Sequence, residues 1–189
     1  VILKDKDVIK IEEKCVLRAT GITKDFPGTR ALEDVDFDLL EGEVHALVGE
    51  NGAGKSTLMN ILMGIYQANG GRISIQGRTV QVKNPGDALR CGVGLVPQEL
   101  NLIPELSVAE NIFMGNEIKN GAGVIDWKRM NTEADKLLKK LHIRDIQPED
   151  MTKGLSAAFQ QLISIARILA SGSKIIILDE PTASLTNRE

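Results

Sequence analysis

Cysteine, long apolar runs and excess positive charge are all scarce in this sequence. Its 189 residues include two cysteines, Cys15 and Cys91, whose spacing fits no metal site, so both are expected to be reduced thiols. No apolar stretch approaches the roughly 18 residues that a membrane-spanning helix needs. The formal net charge is −3, and a mildly acidic chain lacks the basic face on which nucleic-acid binding depends. These absences argue against disulfide-stabilised, membrane-spanning and nucleic-acid-binding proteins.

The overall composition is typical of a globular protein, with 42% hydrophobic and 26% charged residues. Apolar spacing predicts both strands and helices. Strands are expected at residues 16–22, 35–39, 44–48, 73–76, 79–83, 93–96 and 174–178. Helices are expected after residue 55, near Ala88, after the capping pair Ser107 and Glu110, along the apolar stripe from Met130 to Leu141, and after Ser156.

Sheet at both ends of the chain, with helices between, predicts one α/β domain over residues 1–189. Its sheet core is expected at about residues 16–98 and 162–189. A helical subdomain is expected to be inserted at about residues 99–161. The last strand is apolar throughout, as strands buried on both faces usually are.

The segment GENGAGKS at residues 49–56 is the strongest functional signal. It matches the phosphate-binding loop pattern, between the strand expected at 44–48 and a helix. Glycines let successive N–H groups turn toward phosphate oxygens, and the helix N-terminus adds donors. Lys55 is expected to reach the β- and γ-phosphates of a nucleotide, and the Ser56 hydroxyl to bind Mg²⁺. The expected nucleotide-binding residues here are Gly49, Asn51, Gly52, Ala53, Gly54, Lys55, Ser56 and Thr57.

Two acids, Asp179 and Glu180, follow the last apolar strand. The carboxyl edge of an open α/β sheet is where ligands bind, so Asp179 is suited to hold Mg²⁺ and Glu180 to act as general base on a water molecule. Taken alone, the pair would indicate no more than an exposed acidic turn. Gln98 follows another strand. Its amide could bond the metal ion or the attacking water, and the alternative is that Gln98 is an ordinary polar loop residue.

Together these segments resemble the ATP-binding cassette (ABC) family from about residue 16 onward. Residues 155–161, LSAAFQQ, stand where the family has its LSGGQ signature. The resemblance implies that Ser156 faces the γ-phosphate of an ATP held by a partner cassette, and that Gln98 is the Q-loop residue. It also implies that Phe26 stacks on adenine, although an ordinary buried aromatic residue is an equal alternative from the sequence alone.

The chain departs from the family pattern at several positions. Ala157 and Ala158 replace two glycines and Phe159 replaces a glutamine, which puts the signature half of the site in doubt. In the D-loop-like residues 183–186, an aspartate is commoner than the threonine found here. Neither His45 nor His142 is expected to be the switch histidine. The resemblance therefore implies a P-loop NTPase core sheet with an antiparallel β-subdomain and an inserted helical subdomain, truncated at its C-terminus.

Within the family, four segments look like bacterial importers of monosaccharides such as ribose, galactose or xylose. These are residues 26–28 (FPG), 64–66 (GIY), 98–102 (QELNL) and 180–186 (EPTASLT). The resemblance implies a peripheral ATPase at the cytoplasmic face of the membrane, with ATP and Mg²⁺ as cofactors. Its expected partners are a second cassette, transmembrane permease subunits and, indirectly, a sugar-binding protein. The alternatives are a soluble ABC ATPase of DNA repair or translation, and a nucleotide-binding fragment without turnover; the sugar stays open.

Overall fold

A computed structural model describes residues 14–98 and 101–179 of the chain. The chain divides between Lys83 and Asn84 into two compact units. The predicted general base Glu180 and the D-loop-like residues 183–186 lie outside the described residues. The predicted single domain with an inserted helical subdomain stays a prediction.

The first unit is built on a four-stranded antiparallel sheet of order β2-β1-β3-β4. Its strands are β1 (Cys15–Phe26), β2 (Thr29–Leu40), β3 (Gly70–Ile75) and β4 (Arg78–Val80). Leu17, Ala19 and Ile22 of β1 are each 1% exposed and form the centre of its core. β1 and β2 are joined by a tight turn at Pro27 and Gly28, where the φ of 82° at Gly28 suits glycine.

Helix α1 (Lys55–Leu62) belongs to this unit and buries Leu58, Ile61 and Leu62, as the apolar spacing predicts. The helix ends just before Gly64, whose φ of 70° is the left-handed conformation that commonly terminates helices. The strand predicted over 79–83 is shorter than expected, because its pairing with β3 ends at the Ile73–Val80 pair. Residues 81–83 pair with no strand in the described part of the chain and therefore form no strand hydrogen bonds.

The prediction of a strand at residues 44–48 is wrong. In the structure this segment is irregular, and the side chains of Val44 and Val48 are 98% and 90% exposed. A strand requires a neighbour to which its N–H and C=O groups can bond, and strand propensity alone does not supply one. His45, expected on that strand, instead contacts Phe37 of β2 and hydrogen-bonds Glu43 through Nδ1 at 2.9 Å.

The second unit contains a parallel pair of strands, β5 (Val93–Val96) and β6 (Ile175–Leu178), aligned from Val93–Ile175 to Val96–Leu178. Its helices are α2 (Pro85–Arg90), α3 (Val108–Phe113), α4 (Trp127–Lys140) and α5 (Ala157–Ala170), with a 3-10 turn at Thr152–Gly154. α5 packs directly on β5, since an added Cβ at Gly94 would lie 2.5 Å from the Ile168 side chain. None of the helices described is both long and apolar enough to cross a bilayer.

Helices α3, α4 and α5 enclose a second apolar core. The capping box between Ser107 and Glu110 is present at the start of α3, and Met130, Ala134 and Leu138 of the predicted stripe are buried. Among the described residues between β5 and α5, irregular backbone outnumbers helix, whereas the sequence predicts a helical subdomain at about residues 99–161. Gly115 and Gly123 adopt left-handed φ values of 78° and 79° there, which interrupt helix.

Candidate functional site

The glycine-rich loop predicted to bind phosphate leads directly into α1. Gly52 and Gly54 have φ values of 86° and 88°, which side-chain-bearing residues rarely adopt. Gly54 is the N-cap of α1 and provides no side-chain cap, so the first-turn N–H groups have no capping partner within the described part of the chain. Orphan donors at a helix N-terminus, with its partial positive charge, form an anion-binding site.

Gly54 also sets how closely this helix approaches the sheet. A Cβ added there would lie 2.6 Å from Leu32 Cδ2 and 2.8 Å from the carbonyl oxygen of Ala31. Real Cβ contacts are essentially never that short, so only glycine fits without a shift of β2 or of the helix. The close approach fixes the start of α1 against the beginning of β2.

Lys55, the first residue of α1, folds back over the loop. Its Nζ donates to the carbonyl oxygens of Gly49 at 2.7 Å and Glu50 at 2.9 Å. The ammonium group is therefore held beside the backbone that surrounds the predicted phosphate position. Asn51, Gly52, Ala53 and Ser56 are exposed, and Gly54 and Thr57 are half-buried.

Gln98 and Asp179 lie at the same edge of the β5–β6 pair. Asp179 follows the end of β6, and its N–H donates to the carbonyl oxygen of Val96 at 3.1 Å. Gln98 lies two residues beyond Val96, with its side chain exposed. Because both follow the carboxyl ends of parallel strands, the second unit brings two of the three predicted metal ligands, Gln98 and Asp179, to one edge.

Ser156 caps the helix that the signature-like segment begins. It is exposed at the N-cap of α5, and its Oγ accepts a hydrogen bond from the N–H of Phe159 at 3.4 Å. The three residues that depart from the family signature lie in different surroundings. The methyl group of Ala157 is exposed, whereas Ala158 is 7% exposed and Phe159 packs against the helical core. Only one of the three substitutions therefore faces outward at the helix start.

Phe26 lies at the tip of the β1–β2 hairpin, where it is half-buried. Tyr66 meets it edge to face, with ring centroids 5.2 Å apart. The Lys24 ammonium lies 5.0 Å from the Phe26 centroid. Phe26 is thus part of a surface aromatic cluster and is not enclosed by the core of its unit.

A buried polar cluster in the second unit was missed by sequence reasoning. Asn111 is fully buried; its Nδ2 donates to Thr152 Oγ1 at 3.2 Å, and its Oδ1 accepts from the N–H of Ile103 at 2.9 Å. Arg167 of α5 donates through Nε to the carbonyl oxygen of Asn111 at 2.7 Å and through Nη1 to that of Asn101 at 3.1 Å. Burial lowers the pKa of the Arg167 guanidinium. The one available signal was an asparagine among the apolar residues of α3.

The predicted site residues fall into both units. Residues 49–57 and Phe26 belong to the first unit, and Gln98, Ser156 and Asp179 to the second. Within residues 14–98 and 101–179, no three His, Cys, Asp or Glu side chains cluster as a self-contained metal site.

Comparison with known proteins adds a separate line of information. The sequence model of the family described as ABC transporter matches residues 32–183. The chain is 48% identical over 176 residues to the xylose import ATP-binding protein of Geobacillus kaustophilus. It is 47% identical over 175 residues to a Burkholderia ambifaria protein provisionally named as a ribose/galactose/methyl galactoside import ATP-binding protein. Each match spans 92% of this chain but only 34% of the relative, so the chain spans about a third of their length.

A solved structure agrees with the sequence comparisons. The crystal structure of the ADP conformation of an ATP-binding cassette of an ABC transporter has a TM-score of 0.78 with this chain at 26% sequence identity. The match covers 91% of this chain and 71% of that one.

Proposed function

This chain belongs to the ABC transporter family, and we propose that it binds Mg-ATP as the hydrolysing cassette of a bacterial sugar importer. The family match and the structural similarity confirm the predicted fold class, a P-loop NTPase cassette of mixed α and β structure that includes an antiparallel sheet. The observation that carries the proposal is the loop at residues 49–54 leading into the uncapped N-terminus of α1.

The loop and the first turn of α1 would hold the triphosphate. Left-handed Gly52 and Gly54 leave backbone N–H groups able to point at phosphate oxygens, and the helix start adds positive potential. Lys55 already lies beside the loop through its bonds to Gly49 and Glu50, so its ammonium would exchange those carbonyl oxygens for β- and γ-phosphate oxygens. Phe26 would stack on the adenine ring.

Ser56, Gln98 and Asp179 are proposed to hold Mg²⁺ together with the phosphates. Hydroxyl, amide and carboxylate oxygens are the hard ligands that Mg²⁺ prefers, and the ion usually binds proteins through only one or two carboxylates plus phosphate. When bound, Mg²⁺ neutralises charge on the β- and γ-phosphates. Glu180 is proposed to accept a proton from the attacking water, and Gln98 to orient that water.

The proposed partners follow from Ser156 and from the named relatives. The exposed N-cap at Ser156, with the N–H groups of the first turn of α5, is proposed to contact the γ-phosphate of ATP bound by a second cassette. Both relatives are named for sugar import, which supports permease subunits as membrane partners and a place at the cytoplasmic face. A sugar-binding protein would act through the permease. Neither relative's name concerns DNA repair or translation.

Replacing Lys55 tests the proposal. Lys55→Ala should weaken Mg-ATP binding at least about tenfold, because a triphosphate loses its cationic partner. Isothermal titration calorimetry with Mg-ATP measures this, and Lys14→Met is the control, since Lys14 is an exposed cation of the same unit that pairs with Glu41 at 3.3 Å. Equal Mg-ATP affinity in the Lys55→Ala variant and the unmodified chain would reject the site. Because residues 157–159 depart from the family signature, we expect this chain to release phosphate at near-background rates when no second cassette is present.

A further inference from the structure

The tip of the β1–β2 hairpin carries an aromatic pair with one cation over both rings. Phe26 and Tyr66 meet at an interplanar angle of 79°. The Lys24 ammonium lies 5.0 Å from the Phe26 centroid and 6.0 Å from the Tyr66 centroid. A cation above an aromatic ring is attracted by the negative π face. A positive charge therefore occupies one face of Phe26.

Hydrogen bonds hold this cluster in place. Lys24 Nζ donates to the carbonyl oxygen of Gln67 at 2.8 Å. The side chain of Asn69 accepts from the N–H of Asp25 at 2.9 Å. These bonds fasten the segment after α1 to the end of β1. Tyr66 is thereby kept against Phe26 although it is 38% exposed, which is more than a purely structural core residue would be.

The cluster and the phosphate loop lie at the same end of β2. Phe26 pairs with Thr29, the first residue of that strand. Two residues further along, the carbonyl oxygen of Ala31 lies 2.8 Å from the position of a Cβ added at Gly54. The hairpin tip is therefore placed where the base of a nucleotide could reach it when the phosphates lie at the start of α1.

On the basis of the proposed nucleotide site, we infer that Lys24 and Tyr66 are positioning residues that make Phe26 a purine-selective stacking surface. Lys24 draws π electron density of Phe26 toward itself, so the opposite ring face attracts an electron-rich partner. Tyr66 fixes the tilt of the Phe26 ring through its edge-to-face contact. A purine has a larger π surface than a pyrimidine and gains more from such a face.

Binding of ATP and of inorganic tripolyphosphate separates base recognition from phosphate recognition. Lys24→Met keeps an unbranched side chain of nearly the same length but removes its charge, and Tyr66→Leu removes the second ring. Each should weaken Mg-ATP binding by about threefold to tenfold in calorimetry while leaving Mg-tripolyphosphate affinity unchanged. Lys24→Arg and Tyr66→Phe keep the cation and the ring, so both should retain the affinity of the unmodified chain. Lys14→Met again controls for loss of one positive charge.

The two ligands also distinguish failure of the inference from failure of the proposed function. An equal loss of ATP and tripolyphosphate binding in Lys24→Met and Tyr66→Leu would overturn the inference, because the cluster would then only stabilise the unit. Unchanged ATP binding in both variants would overturn it too. If Lys55→Ala leaves tripolyphosphate binding intact, the phosphate site itself is wrong, whatever the Lys24 variants show.

A spectroscopic test needs no substitution. Tyr66 is the only tyrosine in the chain, so incorporation of 3-fluorotyrosine gives a single ¹⁹F resonance. ATP should shift this resonance through the ring current of the stacked purine, CTP should shift it less at saturation, and tripolyphosphate should leave it in place. Equal shifts with ATP and tripolyphosphate, or none with ATP, would contradict base stacking at Phe26.

Discussion

The backbone N–H of Asp179 donates to the carbonyl oxygen of Val96 across 3.1 Å. This bond continues the parallel register of β5 and β6 by one step beyond the Val96–Leu178 pair. It places the acid that ends β6 beside the strand whose continuation carries Gln98. A carboxylate and an amide that are 81 positions apart in sequence thus share one edge because two apolar strands pair in parallel.

Gly54→Ala should destabilise the first unit more than Gly52→Ala. Both glycines have left-handed φ values, so each substitution adds backbone strain of about 1 kcal/mol or more. At Gly54 the new methyl group would also meet Leu32 and the backbone of Ala31, whereas nothing lies within 4 Å of a Cβ at Gly52. Urea unfolding midpoints measure the difference.

Gly52→Ala also tests the role of the loop in nucleotide binding. Gly52→Ala should reduce Mg-ATP affinity with only a modest loss of stability, because its methyl group would project from the loop that is proposed to surround the phosphates. Equal urea midpoints for Gly52→Ala and Gly54→Ala would show that the close contact at Gly54 does not constrain α1.

Asn111→Ala should lower the free energy of unfolding by about 3 kcal/mol, because it leaves buried hydrogen-bonding groups unpaired. Asn111 is fully buried and bonds to Ile103, Thr152 and Arg167, which joins α3 to α5 and to the segment that precedes Ser156. Asn116→Ala is the control: Asn116 is exposed, so its substitution should change stability by no more than about 0.5 kcal/mol. Similar midpoints for the two variants in urea would rule out a structural role for the buried cluster.

Substitutions at Gln160 and Gln161 should have opposite effects on stability. Gln161 is 3% exposed, and its Nε2 has no hydrogen-bond partner in the part of the chain that is described. Gln161→Met removes this buried donor and should raise the free energy of unfolding by about 1 kcal/mol. Gln160 Nε2 donates to the carbonyl oxygen of Leu155 at 2.9 Å, so Gln160→Met should lower it by about 1 kcal/mol.

Thermal unfolding of both variants, followed by circular dichroism, tests the pair. A loss of stability in Gln161→Met would mean that its amide is paired in solution.

Features fixed by nearby residues were predictable from the sequence. The capping box of Ser107 and the helix start at Ser156 depend on residues only a few positions apart. The sequence pattern likewise located the glycine loop before α1 correctly.

Features that depend on distant partners were not predictable. The apolar run at residues 44–48 predicts a strand, but no described strand pairs with it. Asn111 gives no local sign of its bonds to Thr152 and Arg167, which lie 41 and 56 positions away. A sequence pattern indicates local propensity and periodicity. Strand pairing and buried polar contacts depend instead on residues that tertiary structure brings together.

The proposed meeting of Ser56 and Asp179 around one Mg²⁺ ion is tested most directly by a double-mutant cycle. Calorimetry would give the ATP affinities of Ser56→Ala, Asp179→Asn and the double variant, with Mg²⁺ and with excess EDTA. If both side chains bind the same ion, their effects should be non-additive by about 1 kcal/mol or more with Mg²⁺ and additive in EDTA. Effects that add to within about 0.5 kcal/mol in the presence of Mg²⁺ would show that the two residues do not share a metal ion and would contradict the proposed site.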